Sequence, residues 1–409
     1  MNILFNILNF SLFIIFLYLA WSVAYFFFFS IASHIPGSKP AIKNDKMHKM
    51  AILIPAYKED AVIVNVAKHA INQNYPEELF DIVVIADSLL PGTIAQLKNL
   101  PIKVVEVTFK KSTKAKALNL CMKEIGDNYE IAVILDADNE MSNHFLHKIN
   151  RAFNAGFLVI QGHRTAKNMN NSYAILDAIS EEINNSIFRK GHRNLGFSSA
   201  LIGSGMAIDY ALYKSTMKEV TSVGEDKELE LLLLERGFKI EYLSDALIYD
   251  EKIQNAEILQ KQRSRWIFAQ LHFLKSNFIK SIKQLRKGNI DFFDKVIQQA
   301  LPPRSILIGI SGIVFLTYLF SIFFPINIFE GRSFIVSMEL WLMLVTFFII
   351  ALLMSIPLKM ATIKTFKAIY VLPRGISAML FSLFSVRNAG KSFTHTPHNF
   401  NQNNISSIK

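Results

Sequence analysis

Glu130-Ile131-Ala132-Val133-Ile134-Leu135-Asp136-Ala137-Asp138 decides how the rest of this sequence is read. An unbroken apolar run stops abruptly on two carboxylates, the pattern of a short strand buried on both faces that delivers polar groups at its carboxyl end. Working outward, Met50-Ala51-Ile52-Leu53-Ile54-Pro55, Phe80-Asp81-Ile82-Val83-Val84-Ile85-Ala86-Asp87 and Ile102 to Val107 read as further strands. Asp60 to His69 and Thr113 to Ile125 read as helices between them. Strands alternating with helices predict an α/β domain with a mostly parallel sheet, whose ligands bind beyond the carboxyl ends of the strands.

Polar groups follow the first, second and fourth of these strands: Tyr57 and Glu59, then Asp87, then Asp136 and Asp138. One aspartate after a strand is as readily a turn residue or a helix cap. A set of them at equivalent strand ends describes a site. Two carboxylates two residues apart can face one Mg2+ or Mn2+, a hard cation that takes carboxylate and diphosphate oxygens together with water. Such a cation neutralises a departing diphosphate. As a bare pattern, Asp136-Ala137-Asp138 is also a turn that caps a helix near Met141.

The chain has 409 residues, is 51% hydrophobic and carries a net charge of +11; its mean hydropathy is +0.27. The apolar excess lies toward the ends. Ile3 to Ala32, Ser305 to Phe324 and Phe334 to Pro357 are each about as long as the roughly 20 residues a spanning helix needs. The first run has neither a basic start nor a small-residue cleavage site, so it reads as an anchor rather than a signal peptide. Ala368 to Val386 is interrupted by Pro373, Arg374 and Gly375. A charge at a helix centre costs roughly 2.5–3.5 kcal/mol on insertion scales, so that stretch reads as interfacial. Lys39, Lys43, Lys46 and Lys49 follow the first run, and Lys359, Lys364, Lys367 and Arg374 follow the third. By the positive-inside rule the middle of the chain and its C-terminus are cytoplasmic, and the N-terminus is outside.

The expected organisation is an anchor over 1–33, a cytoplasmic catalytic domain over 50–260, amphipathic interfacial helices over 261–302, two spanning helices over 303–358, and an interfacial helix with a tail over 359–409. Trp266 to Leu285 places Ile267, Leu271, Leu274, Phe278, Ile282 and Leu285 on one helix face beside Lys275, Lys280, Lys283, Arg286 and Lys287. That face suits the headgroup layer of a membrane; an ordinary domain-surface helix is the other reading. The basic balance fits an anionic membrane or a phosphorylated substrate. Nucleic acid is discounted, since no nucleic-acid motif accompanies the charge. The lone Cys121 allows no intrachain disulfide.

An ordered set of motifs now resembles the processive and related membrane members of glycosyltransferase family 2, the group of the cellulose, chitin and hyaluronan synthases. These motifs are Pro55-Ala56-Tyr57-Lys58-Glu59, Ile85-Ala86-Asp87, Lys114-Ala115-Lys116-Ala117-Leu118-Asn119, Leu135-Asp136-Ala137-Asp138, Gly224-Glu225-Asp226 and Gln262-Arg263-Ser264-Arg265-Trp266. The resemblance runs from Ala51 to about Pro397. It implies a glycosyltransferase A-type, Rossmann-like domain flanked by transmembrane helices. It also implies a nucleotide-sugar donor, a UDP-sugar, and a Mg2+ or Mn2+ ion. Tyr57, Glu59 and Asp87 would hold the nucleoside, and Lys114 the donor. Asp136 and Asp138 would take the metal and diphosphate, and Asp226 would be the general base. Glu225, Gln262, Arg265 and Trp266 would grip the diphosphate and the acceptor terminus. Gly203-Ser204-Gly205 resembles a small-residue turn where backbone approaches the acceptor, and His163 and Arg164 fall where the family has a polar segment near the donor sugar. Phe393-Thr394-His395-Thr396-Pro397-His398 resembles the family's tail.

The chain departs from the pattern at Lys58, where asparagine is common, in the Ser-Leu-Leu-Pro-Gly-Thr segment after Asp87, and at Gly224, where threonine is common. Glu228, Glu230 and Glu235 are expected to form a solvated helix face. The implied activity is inverting transfer of a sugar to a growing polysaccharide at the cytoplasmic membrane face, with self-association or an export partner completing a channel. Transfer of one sugar to a lipid or lipid-linked acceptor is the second reading. A transporter is disfavoured by the scarcity of intramembrane ionisable residues.

Overall fold

The computed structural model describes residues 2–37, 41–222, 224–254, 256–323 and 335–374. Helix α1 (Asn2–Ala32) leads into β1 (Met50–Tyr57), α2 (Ile63–Ile71), β2 (Phe80–Asp87), α3 (Pro91–Lys98), β3 (Lys103–Val107), α4 (Lys114–Glu124) and β4 (Ile131–Ile134). Next come β5 (Glu140–Met141), α5 (Phe145–Asn154), β6 (Val159–Ala166), α6 (Ser172–Asn184), a π-helical turn (Asn185–Gly191) and α7 (His192–Asn194). The domain then adds β7 (Met206–Asp209), α8 (Tyr210–Met217), α9 (Glu225–Glu235) and β8 (Ile240–Asp250). Helices α10 (Ala256–Arg286), α11 (Ile290–Gln298), α12 (Arg304–Phe323), α13 (Met338–Ser355) and α14 (Ile363–Ala368) complete the described chain.

The strands form one sheet in the order β3-β2-β1-β4-β7-β6-β8-β5. Strands β1 to β4 are mutually parallel, as their two-faced apolar runs require. The other half is mixed: β7 is antiparallel to β4 and to β6, β8 is parallel to β6, and β5 is antiparallel to β8. The sheet is therefore parallel only in its first half. Strand β4 stops at Ile134, so Asp136-Ala137-Asp138 lies in the loop beyond it. The helix expected near Met141 starts at Phe145, after the short β5.

Each face of the sheet buries a cluster. One holds Leu118, Met122, Tyr213, Leu229 and Phe273 beneath α4, α8, α9 and α10. The other holds Ile63, Val66, Phe145 and Ile149 beneath α2 and α5. A third cluster joins Phe26 and Phe29 of α1 to Ile187 of the π-helical turn and Phe348 of α13.

Helix α1 is keyed to the domain by contacts only certain residues permit. A side chain on Gly191 would place its Cβ 2.2 Å from the Phe29 carbonyl oxygen. The Asn194 amide donates to the carbonyls of Ala32 (3.0 Å) and Ile35 (2.7 Å), satisfying acceptors that the end of a helix leaves open. Tyr25 donates to Asp294 of α11 at 2.6 Å and lies 2.8 Å from His192 Nε2. Helix α13 lies beside α1 in the same direction: Phe16 meets Trp341 with centroids 5.1 Å apart, and Ser30 donates to the Ala351 carbonyl at 2.9 Å.

Two helices, Phe5–Ala32 and Met338–Ser355, are long and apolar enough to cross a membrane, and α12 is apolar over the shorter Arg304–Leu316. The two ends of the loop between the expected second and third spans, Phe324 and Phe334, lie outside the described residues. So do residues 375–409, with most of Ala368 to Val386 and the Phe393–His398 tail.

The amphipathic helix is longer than expected. Helix α10 begins at Ala256, and its buried face holds Ile267, Phe273 and Ser281 against the domain. Leu271, Phe278 and Leu285, one heptad apart, remain exposed. The helix thus has a face packed on the domain and an exposed apolar row.

Candidate active site

The ends of β1 and β2 are held in strained backbone. Tyr57 is registered opposite Asp87, and the next residue of each strand, Lys58 (φ 57°) and Ser88 (φ 59°), is left-handed. A non-glycine residue there costs about 1–3 kcal/mol, a strain that clusters at ligand sites. Asparagine tolerates that conformation better than lysine. Lys58 is held in it by its amide donating to the Asp87 carbonyl (3.1 Å) and by its ammonium lying over the Tyr57 ring (5.3 Å). Asp87 and Glu59 are both buried, and Ser88 donates to Asp87 Oδ1 at 2.9 Å.

The loop after β4 is braced from beneath. The Asp136 amide donates to Ser204 Oγ at 3.0 Å. Ser204 in turn donates to the Asn139 side-chain oxygen at 2.7 Å, which leaves the Asn139 amide donating to Asp138 Oδ1 (3.2 Å) and Asp250 Oδ1 (2.9 Å). Ser204 is fully buried. Its side chain is therefore committed to the loop. Gly203 and Gly205 flank it with φ of +77° and +65°. A Cβ on Gly205 would sit 2.6 Å from Ile248 Cγ1.

Lys114 joins the pieces. It opens α4 behind the Thr113 cap. Its ammonium donates to Asp136 Oδ1 at 2.6 Å and to the Gly203 carbonyl at 2.7 Å, and it lies 3.2 Å from Glu225 Oε1. Burial opposes its charge, but Asp136 and Glu225 hold the ammonium well above the usual lysine range. Burial pushes the Glu225 carboxyl up to about 7; Lys114 pulls it down, and the neighbouring Asp226 and Asp136 add to the rise. Asp226 begins α9 with Glu225, and its Oδ1 accepts from the Lys227 amide at 2.8 Å. A Cβ on Gly203 would lie 3.7 Å from Asp226 Oδ2, so the bare backbone keeps the space beside this carboxylate open.

No group of three or more His, Cys, Asp or Glu side chains among the described residues is arranged to hold a metal by itself. The carboxylates present still fit Mg2+ or Mn2+, which are held by one or two carboxylates with the rest of the shell from substrate phosphate and water. Asp136 is one-third exposed, and only its Oδ1 is engaged by Lys114.

Helix α10 reaches this site at the start of α9: a Cβ on Gly224 would lie 3.3 Å from Phe273 Cε2 and 3.7 Å from Ala269 Cβ. Arg265, one turn before Ala269, shares that face, and burial pulls its guanidinium below the usual arginine range. Trp266 is 45% exposed, with Arg263 stacked over its ring at 4.4 Å. Gln262 is in α10, but its side chain lies outside the described residues.

The profile described as Glycosyltransferase like family 2 matches residues 48–269. This chain belongs to that family. The probable glycosyltransferase YdaM of Bacillus subtilis (strain 168) is 23% identical over 254 residues, which are 57% of this chain and 57% of that protein. The chain therefore matches little more than half the length of this relative. The mannosyltransferase PcManGT from Pyrobaculum calidifontis, solved with GDP-Man and Mn2+, superposes with a TM-score of 0.50 at 12% identity, covering 84% of this chain and 96% of that one. S. aureus TarS 1-349 gives a TM-score of 0.40 at 14% identity, covering 83% and 91%. At 12% identity the likeness to PcManGT speaks to the fold alone.

Within the family 2 domain, Tyr57, Glu59, Asp87, Lys114, Asp136, Asp138, Gly203, Gly205, Glu225 and Asp226 fall at the strand ends and the turns joined to them. His163 and Arg164 lie beside this set, Arg164 Nε being 3.8 Å from Asp250 and near enough to Asp136 to feel its charge. His163 Nε2 lies 3.1 Å from Glu182 and its Nδ1 2.8 Å from the Tyr242 hydroxyl, while Arg164 donates to Glu181 at 2.9 Å. Both are held between α6 and β8. The solvated face expected for α9 is also corrected. Glu230 is wholly buried, accepting from the Leu201 amide (2.9 Å) and Lys227 (3.1 Å). Glu228 accepts from the amides of Thr221 (3.0 Å) and Ser222 (2.7 Å) and so shapes the loop before the acidic pair. The leucine run Leu231-Leu232-Leu233-Leu234 was the available signal, since a helix that apolar leaves little room for a solvent face. Asn139 and Asp250, which hold the Asp138 loop, carried no signal in sequence.

Proposed function

We propose that this chain transfers a sugar from a UDP-sugar to an acceptor hydroxyl at a membrane surface, inverting the anomeric configuration. The observation that carries this reading is Lys114, whose ammonium joins the Asp136 loop, the Gly203 turn and the acidic pair at 2.6, 2.7 and 3.2 Å. One cation thus gathers the donor side and the base side of a single reaction.

In this reading Tyr57, Glu59 and Asp87 hold the nucleoside. Asp136 and Asp138 would hold the divalent metal, which supplies Lewis-acid neutralisation of the diphosphate. Asp226 takes the proton from the acceptor hydroxyl as its oxygen attacks the anomeric carbon. The nucleoside diphosphate leaves from the opposite face, with Lys114 and Arg265 near its charge. Glu225 keeps Lys114 and Asp226 in register. Gly203 to Gly205 present backbone, and Trp266 a ring, to the acceptor.

Membrane placement is supported by exposure. Ile3, Ile7, Phe10 and Phe28 of α1 and Met343 and Leu353 of α13 are more than half or nearly half bare, which a core helix of a soluble protein would not tolerate. The shared direction of α1 and α13 puts Ser33 and Ile356 at one level, in line with a cytoplasmic domain and an outside N-terminus. A growing polysaccharide is the first acceptor. A lipid-linked acceptor is the second, favoured by the arginine cluster beside Trp266 described below. Incubation with labelled UDP-glucose, UDP-N-acetylglucosamine, UDP-galactose and UDP-glucuronate in Mg2+ or Mn2+, followed by product sizing, tests both. A ladder supports the polysaccharide, a single glycolipid the second reading, and no transfer from any donor contradicts the proposal.

A further inference from the structure

Arg304, the first residue of α12, is a cation without a carboxylate partner among the described residues. One nitrogen donates to the Ser180 carbonyl and hydroxyl, each at 3.0 Å. Its NH1 is buried and meets no acceptor among the described residues. The charges close enough to act on it are Arg263, Glu181 and Arg189. Glu181 is already engaged on both oxygens, by Arg164 at 2.9 Å and Arg189 at 3.1 Å. Arg263 donates once to Asp177 at 3.0 Å and otherwise lies against the exposed Trp266 ring, itself only one-fifth exposed.

A buried guanidinium nitrogen with no acceptor calls for a group that completes it. Two guanidinium planes with spare donors match the oxygens of a phosphoryl group better than any neutral ligand. The apolar surroundings define the rest of the ligand. Helix α12, apolar from Arg304 to Leu316, leaves the domain here, and the Trp266 ring under Arg263 is exposed on α10. An anionic head beside an apolar path is the chemistry of a lipid phosphate.

We infer that Arg304 and Arg263 seat the phosphoryl group of a membrane lipid at the point where a lipid-borne acceptor meets Trp266. This rests on the reading of the chain as a membrane transferase with a lipid-linked acceptor. Thermal unfolding of the full chain in phosphatidylcholine nanodiscs tests it, with polyprenyl monophosphate, polyprenol, phosphatidylglycerol and inorganic phosphate as probes and UDP with Mn2+ as a separate arm. The expected result is stabilisation by polyprenyl monophosphate and none by polyprenol. In Arg304→Gln the lipid phosphate should bind at least about tenfold more weakly, as for loss of a hydrogen bond to a charged group, and Arg304→Lys should recover part of that loss. Equal stabilisation by phosphatidylglycerol supports the seat and assigns it to bulk headgroups. Equal stabilisation by polyprenol, or by inorganic phosphate alone, overturns it. If Arg304→Gln does not fold, the comparison of head chemistries on the unmodified protein decides alone. Stabilisation by UDP without any by lipid phosphate sinks this inference and leaves the transferase reading standing; loss of the UDP response sinks the reading itself.

Discussion

Two charged clusters of this molecule are built with opposite imbalance. At the strand ends, Lys114 faces Asp136 and Glu225, with Asp226 and Asp138 close by, so carboxylates are in surplus. Behind β6 and α6, Arg164, Arg189 and Lys252 crowd Glu181, and Arg304 has no carboxylate partner among the described residues, so cations are in surplus. Asp136 is one-third exposed, whereas Glu181 and Arg189 are closed from solvent. The sign of each surplus points to the ligand that would complete it: a cation with its diphosphate in the first, an anion in the second.

The largest expected effects come from removing the pivot of each cluster. Lys114→Met leaves Asp136 and Glu225 facing each other without a counter-charge. Breaking a buried pair from one side costs about 3–5 kcal/mol, so this variant should melt well below the native protein and lose transfer. Glu181→Gln strands Arg164 and Arg189 and should destabilise by a similar order, about 3–5 kcal/mol by the same argument, but UDP affinity per folded molecule should stay near that of the native protein. Differential scanning calorimetry with UDP titration separates the two. Loss of UDP binding in Glu181→Gln would mean the clusters are one unit.

A smaller effect concerns the turn between them. Gly205→Ala puts a Cβ 2.6 Å from Ile248 at a φ of +65°. It should cost about 1–3 kcal/mol for strain at such a position, and weaken metal-dependent donor binding through the neighbouring Ser204. Unchanged stability and donor affinity would detach the turn from the Asp136 loop.

The smallest effect is a slope. Glu225 titrates near 7 in the folded chain against an ordinary 4.5. Between about pH 4.5 and 7 the folded state holds a proton that the unfolded state has released, so stability falls as pH rises through that window. Glu225→Gln should flatten this fall in metal-free protein. A denaturant-midpoint series across that range reads it, and an unaltered slope would remove Glu225 as its source.

The two clusters were unequally legible in sequence. Strands β1, β2 and β4 announce themselves because their apolar runs stop on Glu59, Asp87 and Asp136, and strand ends are where a parallel sheet keeps its chemistry. Strands β6 and β8 did not: β6 carries Gln161, His163 and Arg164, polar residues whose partners lie on the Ile202–Gly205 turn, on α6 and on β8, whose register shifts at Gly162/His163. Glu230 looked solvated because its own charge outweighed the leucine run that follows it, and its partners, the Leu201 amide and Lys227, come from the packing of α9. The bracing of the Asp136 loop by Ser204 was silent, because nothing local reveals Asn139 on its other side. The docking of α1 through Gly191 and Asn194 was equally silent, since a glycine reads as punctuation until a second helix lies against it.

In the proposed reaction Asp226 is the base beside a donor site gathered by Lys114. Asp226→Asn, which keeps the shape and removes the proton acceptor, tests it most directly. Transfer from the preferred UDP-sugar should fall by about 10^2–10^4-fold, the typical contribution of general-base catalysis, while UDP with Mn2+ binds as it does to the native protein. Native rates of transfer in Asp226→Asn would contradict the assignment.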